Sequence, residues 1–138
     1  MTREEDEDQA DFMSPFQAFL GFSVVRWEDG LAELKLVARP ELLNRTGVLH
    51  GGVVATLLDT AGGIAGCFAP EDAPHRHART ISLTTQFIAP ANGAVVLARG
   101  QVTGGGRRVF FSEIVAEAED GSRIAQAVGS YRRVENRG

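Results

Sequence analysis

The chain has 138 residues, one domain's worth, and at 43% hydrophobic and 23% charged its composition is that of an ordinary globular protein. A formal charge of −4 gives no electrostatic reason to expect nucleic acid or an anionic membrane as a partner. One cysteine, Cys67, excludes an intramolecular disulfide and points to a reducing, cytoplasmic compartment.

Residues 1–11 hold six acids (Glu4, Glu5, Asp6, Glu7, Asp8, Asp11) against one arginine, so they read as a disordered acidic tail and as the opposite of a signal peptide. Residues 12–138 read as a single domain. Ser14-Pro15 gives a helix start, with Ser as N-cap and Pro at the first helical position, and Gly21 ends a short helix carrying Phe16, Phe19 and Leu20 on one side. From Phe22 to Arg39 the pattern turns to period two, which predicts two strands joined by a hairpin at Glu28-Asp29-Gly30. Asn44-Arg45-Thr46-Gly47 reads as a loop.

Residues 53–69 then place Val54, Leu57, Leu58, Ala61, Ile64, Ala65 and Phe68 at helical spacing. At 1.5 Å per residue this helix would be roughly 25 Å long, and with a single charge it should be buried on most sides. Asp59, two threonines and three glycines break the run, so it is no membrane span. A Pro-, His- and Arg-rich loop at 70–79 is followed by four strand-like runs, 80–88, 95–103, 107–118 and 122–134, with Gly104-Gly105-Gly106 and Asp120-Gly121 as turns. One long helix among such strands cannot flank a parallel sheet. The expected architecture is therefore α+β: a curved antiparallel sheet of five to six strands wrapped around one long buried helix, the hotdog arrangement.

The candidate chemistry centres on Asp59. A carboxylate inside an apolar helix is costly to bury unless it is paired, protonated or used; the bland alternative is that it lies on the one wet face of the helix. His50-Gly51-Gly52 stands where the helix begins, and free N–H groups of a first helical turn favour developing negative charge, as an oxyanion hole must. On its own a Gly-Gly pair is more simply a turn. Asn44 could orient a water, or be a typical loop residue. No Gly-x-Ser-x-Gly is present for a serine triad. His75-Arg76-His77 lacks the companion ligands of a metal site and reads as a solvated basic loop, and Cys67 as a small buried hydrophobe. Arg107-Arg108 is either an ordinary charged hairpin or a phosphate clamp.

Taken together, Asn44-x-x-Gly47-x-x-His50-Gly51-Gly52 followed by Asp59 resembles the signature of hotdog-fold acyl-CoA thioesterases of the phenylacetic-acid-degradation type. Thr80-x-x-Leu83-x-x-x-Phe87-x-x-Pro90-Ala91 and Gly106-Arg107-Arg108-x-x-Phe111 resemble that family's later strands. The resemblance runs from about Phe12 to Val134. It implies hydrolysis of an acyl-CoA, with Asp59 as general base or nucleophile and the Gly51 amide holding the thioester carbonyl. His50 would shape the turn, and Asn44 and Thr80 would place the water or carbonyl. Gly52, Arg107 and Arg108 would meet the CoA moiety. It also implies a homo-oligomer, a dimer at minimum and a tetramer by preference, with sites at the dimer interface. No metal or other cofactor is called for, because a thiolate leaves readily and one carboxylate with one oxyanion donor can suffice. The competing readings are a non-catalytic acyl-CoA-binding domain and, further off, a hydroxyacyl-thioester dehydratase.

Overall fold

A computed structural model describes residues 13–74 and 76–135; the acidic stretch and His75 lie outside the described residues. The first helix, α1 (Pro15–Leu20), starts as the sequence dictates. Ser14 accepts from the Gln17 backbone, the Gln17 side chain accepts from the Ser14 backbone, and Gly21 closes the helix in the left-handed conformation. Its three large side chains, on one side of the helix, differ in burial. Leu20 is buried, whereas Phe16 and Phe19 are exposed, Phe19 lying under the Arg39 guanidinium that caps the helix's last carbonyls.

Strands β1 (Ser23–Glu28) and β2 (Leu31–Val37) form the expected hairpin, and a single 3-10 turn (Pro40–Leu42) leads to the long helix α2 (Gly51–Ala65). This helix is shifted toward the N-terminus relative to the apolar run. His50 caps it by accepting the Gly52 N–H, and Gly66 ends it, leaving Cys67 and Phe68 beyond its last turn. Four strands follow: β3 (Arg76–Phe87), β4 (Val95–Gly105), β5 (Val109–Ala118) and β6 (Arg123–Glu135).

All six strands pair antiparallel in the order β1-β2-β4-β5-β6-β3, so β1 and β3 are the sheet edges. The expectation of a loop through residue 79 is corrected: β3 begins at Arg76, because pairing of residues 76–79 with β6 extends the strand back through sequence that looked too charged to be sheet. One face of the sheet is apolar. Leu34 and Leu36, Val96 and Ala98, Ile114 and Ala116, and Ala125 and Ala127 pack against Val54, Leu57, Leu58 and Ala61 of α2.

The helix lies unusually close to the sheet in the middle. At Gly100 on β4 a Cβ would overlap the carbonyl of Ala61, so only glycine permits this approach. Beside it, the buried Ser112 hydroxyl donates to the carbonyl of Gly62 at 2.9 Å. The indole of Trp27 donates to the carbonyl of Ile64 at 2.8 Å. Side chains from two strands, Ser112 of β5 and Trp27 of β1, thus fix the backbone of the turn that follows Asp59.

Candidate active site

Asp59 stands midway along α2, on the side that faces β3, and is half-buried. Thr80 donates a 2.7 Å hydrogen bond to Asp59 Oδ1, while Oδ2 receives none among the described residues. Behind this pair opens a cleft of about 130 Å³ lined by Gln17 of α1, Thr60 and Ile64 of α2, His77 of β3, and Tyr131 of β6. That is room for a water and the carbonyl end of a substrate beside the carboxylate. Arg76 and Cys67 also line it. The segment read as a solvated basic loop therefore belongs to the wall of the Asp59 cleft, through Arg76 and His77. The reason is the early start of β3.

Cys67 is not the nucleophile of this cleft. Burial pushes its thiol up to about 11, against a smaller opposing effect from Arg133 and Arg76, so it stays protonated and unreactive near neutral pH. Tyr131 is the chain's only tyrosine and escaped the sequence reading altogether. It is 1% exposed, stacks on Phe110 at 5.3 Å between centroids, and its hydroxyl makes no hydrogen bond among the described residues. Burial raises its pKa, with the negative charge of Asp59 adding to the effect. The hydroxyl and carboxylate therefore lie close, although their geometry falls short of a completed bond. The period-two row Ala125, Ala127, Gly129, Tyr131 was the available signal, because it puts this phenol on the helix side of the sheet.

The remaining predicted residues gather elsewhere. Asn44, His50, Gly51 and Gly52 surround the N-terminus of α2. The Asn44 carbonyl oxygen is fully used by its own loop, accepting from the Thr46 backbone, the Thr46 hydroxyl and the Val48 backbone, which leaves the amide NH₂ outward. A bridge between Leu43 and Leu49 closes that loop. Gly52 N–H is taken by His50 Nδ1 at 2.9 Å, whereas Gly51 N–H donates to none of the described residues, and the ring of Phe87 lies over Gly51. Gly51 and Asp59 are eight residues apart on one helix, about 12 Å along its axis. Within one chain they cannot act on the same carbonyl.

Arg107 and Arg108 are exposed on the β4–β5 turn. Arg133 holds that turn in place. Its guanidinium lies over the Phe110 ring and donates to the carbonyls of Gly66 at 2.6 Å, Gly106 at 2.6 Å and Arg107 at 3.0 Å. Among the described residues no three His, Cys, Asp or Glu side chains come together in a way that could hold a metal ion, and no helix is long and apolar enough to cross a membrane.

The comparisons place this helix, with its half-buried carboxylate and six wrapping strands, in a known family. Residues 46–125, more than half of the chain, match the thioesterase superfamily, and the chain belongs to it. It is a thioester hydrolase. A Halobacterium salinarum protein described as a candidate esterase is 34% identical over 125 residues, spanning 83% of this chain and 82% of its own. The medium/long-chain acyl-CoA thioesterase YigI of Salmonella typhimurium is 28% identical over 131 residues, spanning 85% and 84%. Among solved structures, a thioesterase family protein from Silicibacter pomeroyi is 26% identical with a TM-score of 0.81, covering 94% of this chain and 96% of that one. The Escherichia coli PaaI protein of the phenylacetic acid degradation operon shares the fold at 20% identity, with a TM-score of 0.79 over 92% and 89% of the two chains.

Proposed function

We propose that this protein hydrolyses an acyl-CoA to the free acid and CoA, with Asp59 as the reacting carboxylate. The observation that carries the reading is the Asp59 carboxylate itself, held by Thr80 at the mouth of a cleft in an otherwise apolar helix. As general base it takes a proton from water while the oxygen attacks the thioester carbon. The oxyanion that forms is held by the Gly51 N–H at the positive end of a helix, and its collapse expels the CoA thiolate. Direct attack by the carboxylate would instead give a mixed anhydride that water then opens. Either route needs the same two groups on one carbonyl.

The separation of Gly51 from Asp59 along the helix supports a site shared between two chains, with Asp59 of one facing Asn44, His50 and Gly51 of the other. The edge strand β3 supports it too: twelve residues long, it exposes Ile81 and Phe87, each 59% accessible, along an edge without a partner strand among the described residues. A dimer at minimum is the working form, and a tetramer is our preferred assembly. Arg107 and Arg108, on a turn braced by Arg133, suit the CoA phosphates, and Gly52 lines the approach. The motif at 44–59 and the shared fold of PaaI favour an aromatic or short acyl group. The YigI relatives favour a longer chain. The lone cysteine favours the cytoplasm.

The test is thiol release from a panel of aromatic, short, medium and long acyl-CoAs, with the wild type beside Asp59→Asn. Turnover of one acyl class, abolished by the substitution, identifies both substrate and carboxylate. Unchanged activity in the variant would remove Asp59 from the mechanism.

A further inference from the structure

Thr80 and Tyr131 are direct cross-strand partners: their Cα positions pair between β3 and β6, so their side chains stand side by side on the helix-facing side of the sheet. Asp59 is opposite both. Thr80 already donates to Oδ1. The Tyr131 hydroxyl is buried, has no hydrogen-bond partner among the described residues and lines the Asp59 cleft.

A buried hydroxyl without a partner is destabilising, and phenylalanine would fill the same space beside Phe110 without that cost. The surroundings are nonetheless cut to the hydroxyl. A Cβ on Gly62 of α2 or on Gly129 of β6 would overlap the phenol oxygen, so two glycines clear its place. Asp59 borders the same cleft, and its second oxygen receives no hydrogen bond among the described residues. The terminal torsion of an aspartate is broad, so the carboxylate can turn that oxygen toward the phenol.

We infer that Tyr131 is a positioning residue for Asp59: in the working site its hydroxyl donates to Oδ2, so that a donor from each of two paired strands fixes the carboxylate. The inference rests on the reading of Asp59 as the reacting group. Two fixed donors decide which lone pair of the carboxylate faces the attacked water or carbonyl, a geometric constraint that Thr80 alone does not impose. The other polar or charged groups of the cleft, Gln17 of α1, Thr60 and Cys67 on the helix side and Arg76 and His77 of β3, make no hydrogen bond to that second oxygen among the described residues.

Tyr131→Phe removes one oxygen and leaves the ring. We expect kcat to fall about tenfold or somewhat more, as for loss of one hydrogen bond to a charged group, with KM unchanged and the melting temperature equal to or above that of the wild type. The same substitution placed in Asp59→Asn should produce no further loss, because the hydroxyl acts only through the carboxylate. If Asp59→Asn is inactive while Tyr131→Phe matches the wild type in kcat, the inference about Tyr131 fails alone. A further loss in the double variant, or a lowered melting temperature accounting for the loss in Tyr131→Phe, would also overturn it by assigning the hydroxyl a purely structural role. If Asp59→Asn is itself fully active, the assignment of the carboxylate falls first, and this inference with it.

Discussion

Thr80 reaches Asp59 from the residue at which β3 slips register against β6, the irregularity falling between Thr80 and Ser82. The extra residue, Ile81, turns outward, and the bulge aims the threonine hydroxyl at the helix. Strand irregularity and hydrogen bond are one device. Thr80→Val keeps the shape and removes the donor, so kcat should fall about tenfold at unchanged KM. Steady-state kinetics of the variant beside the wild type read the rate, and an unmoved kcat would make Thr80 a bystander.

Gly51→Pro tests the oxyanion donor cleanly. Proline suits the first position of a helix, the preceding His50 already has φ −59 and ψ 136, and a Cβ here meets only ordinary contact with Phe87 at 3.5 Å. The protein should fold and lose roughly 100- to 1,000-fold in kcat, because one N–H has been deleted. Mixed after joint refolding with Asp59→Asn, itself inactive, it should recover about a quarter of wild-type activity, since half of random dimers carry one site with both groups intact. No recovery, in a mixture shown by light scattering to contain dimers, would remove the Gly51 N–H from the site that Asp59 of the other chain serves.

The alkaline side of the stability curve has its own signature. Cys67 titrates from its ordinary value of 9.0 in the unfolded chain but near 11 in the native protein. Below pH 9 both forms are protonated and its contribution is complete. Between pH 9 and pH 11 the unfolded chain alone loses the proton, and stability falls by on the order of 2 kcal/mol. Tyr131, raised in the same direction, extends the decline above its ordinary value of 10.0. Urea titrations at pH 8 and pH 10.5 should show the loss, and Cys67→Ala should flatten it.

Arg133→Met keeps most of the stacking over Phe110 and removes the guanidinium from three carbonyls, those of Gly66, Gly106 and Arg107. Two of these lie on an exposed turn and can turn to water, so the expected cost is about 2–4 kcal/mol rather than the sum for three orphaned acceptors. Thermal unfolding measures it. KM for the acyl-CoA should rise as well, because the turn carrying Arg107 and Arg108 is no longer held.

Asp59 was legible in the sequence because a single charge in an apolar helix calls for an explanation, and His50-Gly51-Gly52 because a helix start leaves donors free. The element order and the antiparallel sheet followed from a change of period on either side of the helix. Tyr131 was not legible as a neighbour of Asp59. Its alternation gave the face, but 72 residues of chain separate the two, and only the β3–β6 register brings them together. The start of β3 was obscured by Arg76, His77 and Arg79, whose charges suit a loop locally and are overridden by pairing with β6. Helix α2 ended early because Gly66 caps it, while Gly62 and Gly63 lie within it, a difference that residue type alone does not signal.

The touching backbones of Gly100 and Ala61 have a bearing on how such an enzyme can diversify. Where helix and sheet meet main chain to main chain, their spacing is set by the peptide units themselves and is indifferent to side-chain size elsewhere. On the proposed assignment of Asp59 as the reacting carboxylate, exchange of Gln17, Ile64 and His77, which line its cleft, should reshape the room beside it while the carboxylate keeps its bond to Thr80. The shape of the cleft and the placement of the carboxylate are then mechanically decoupled.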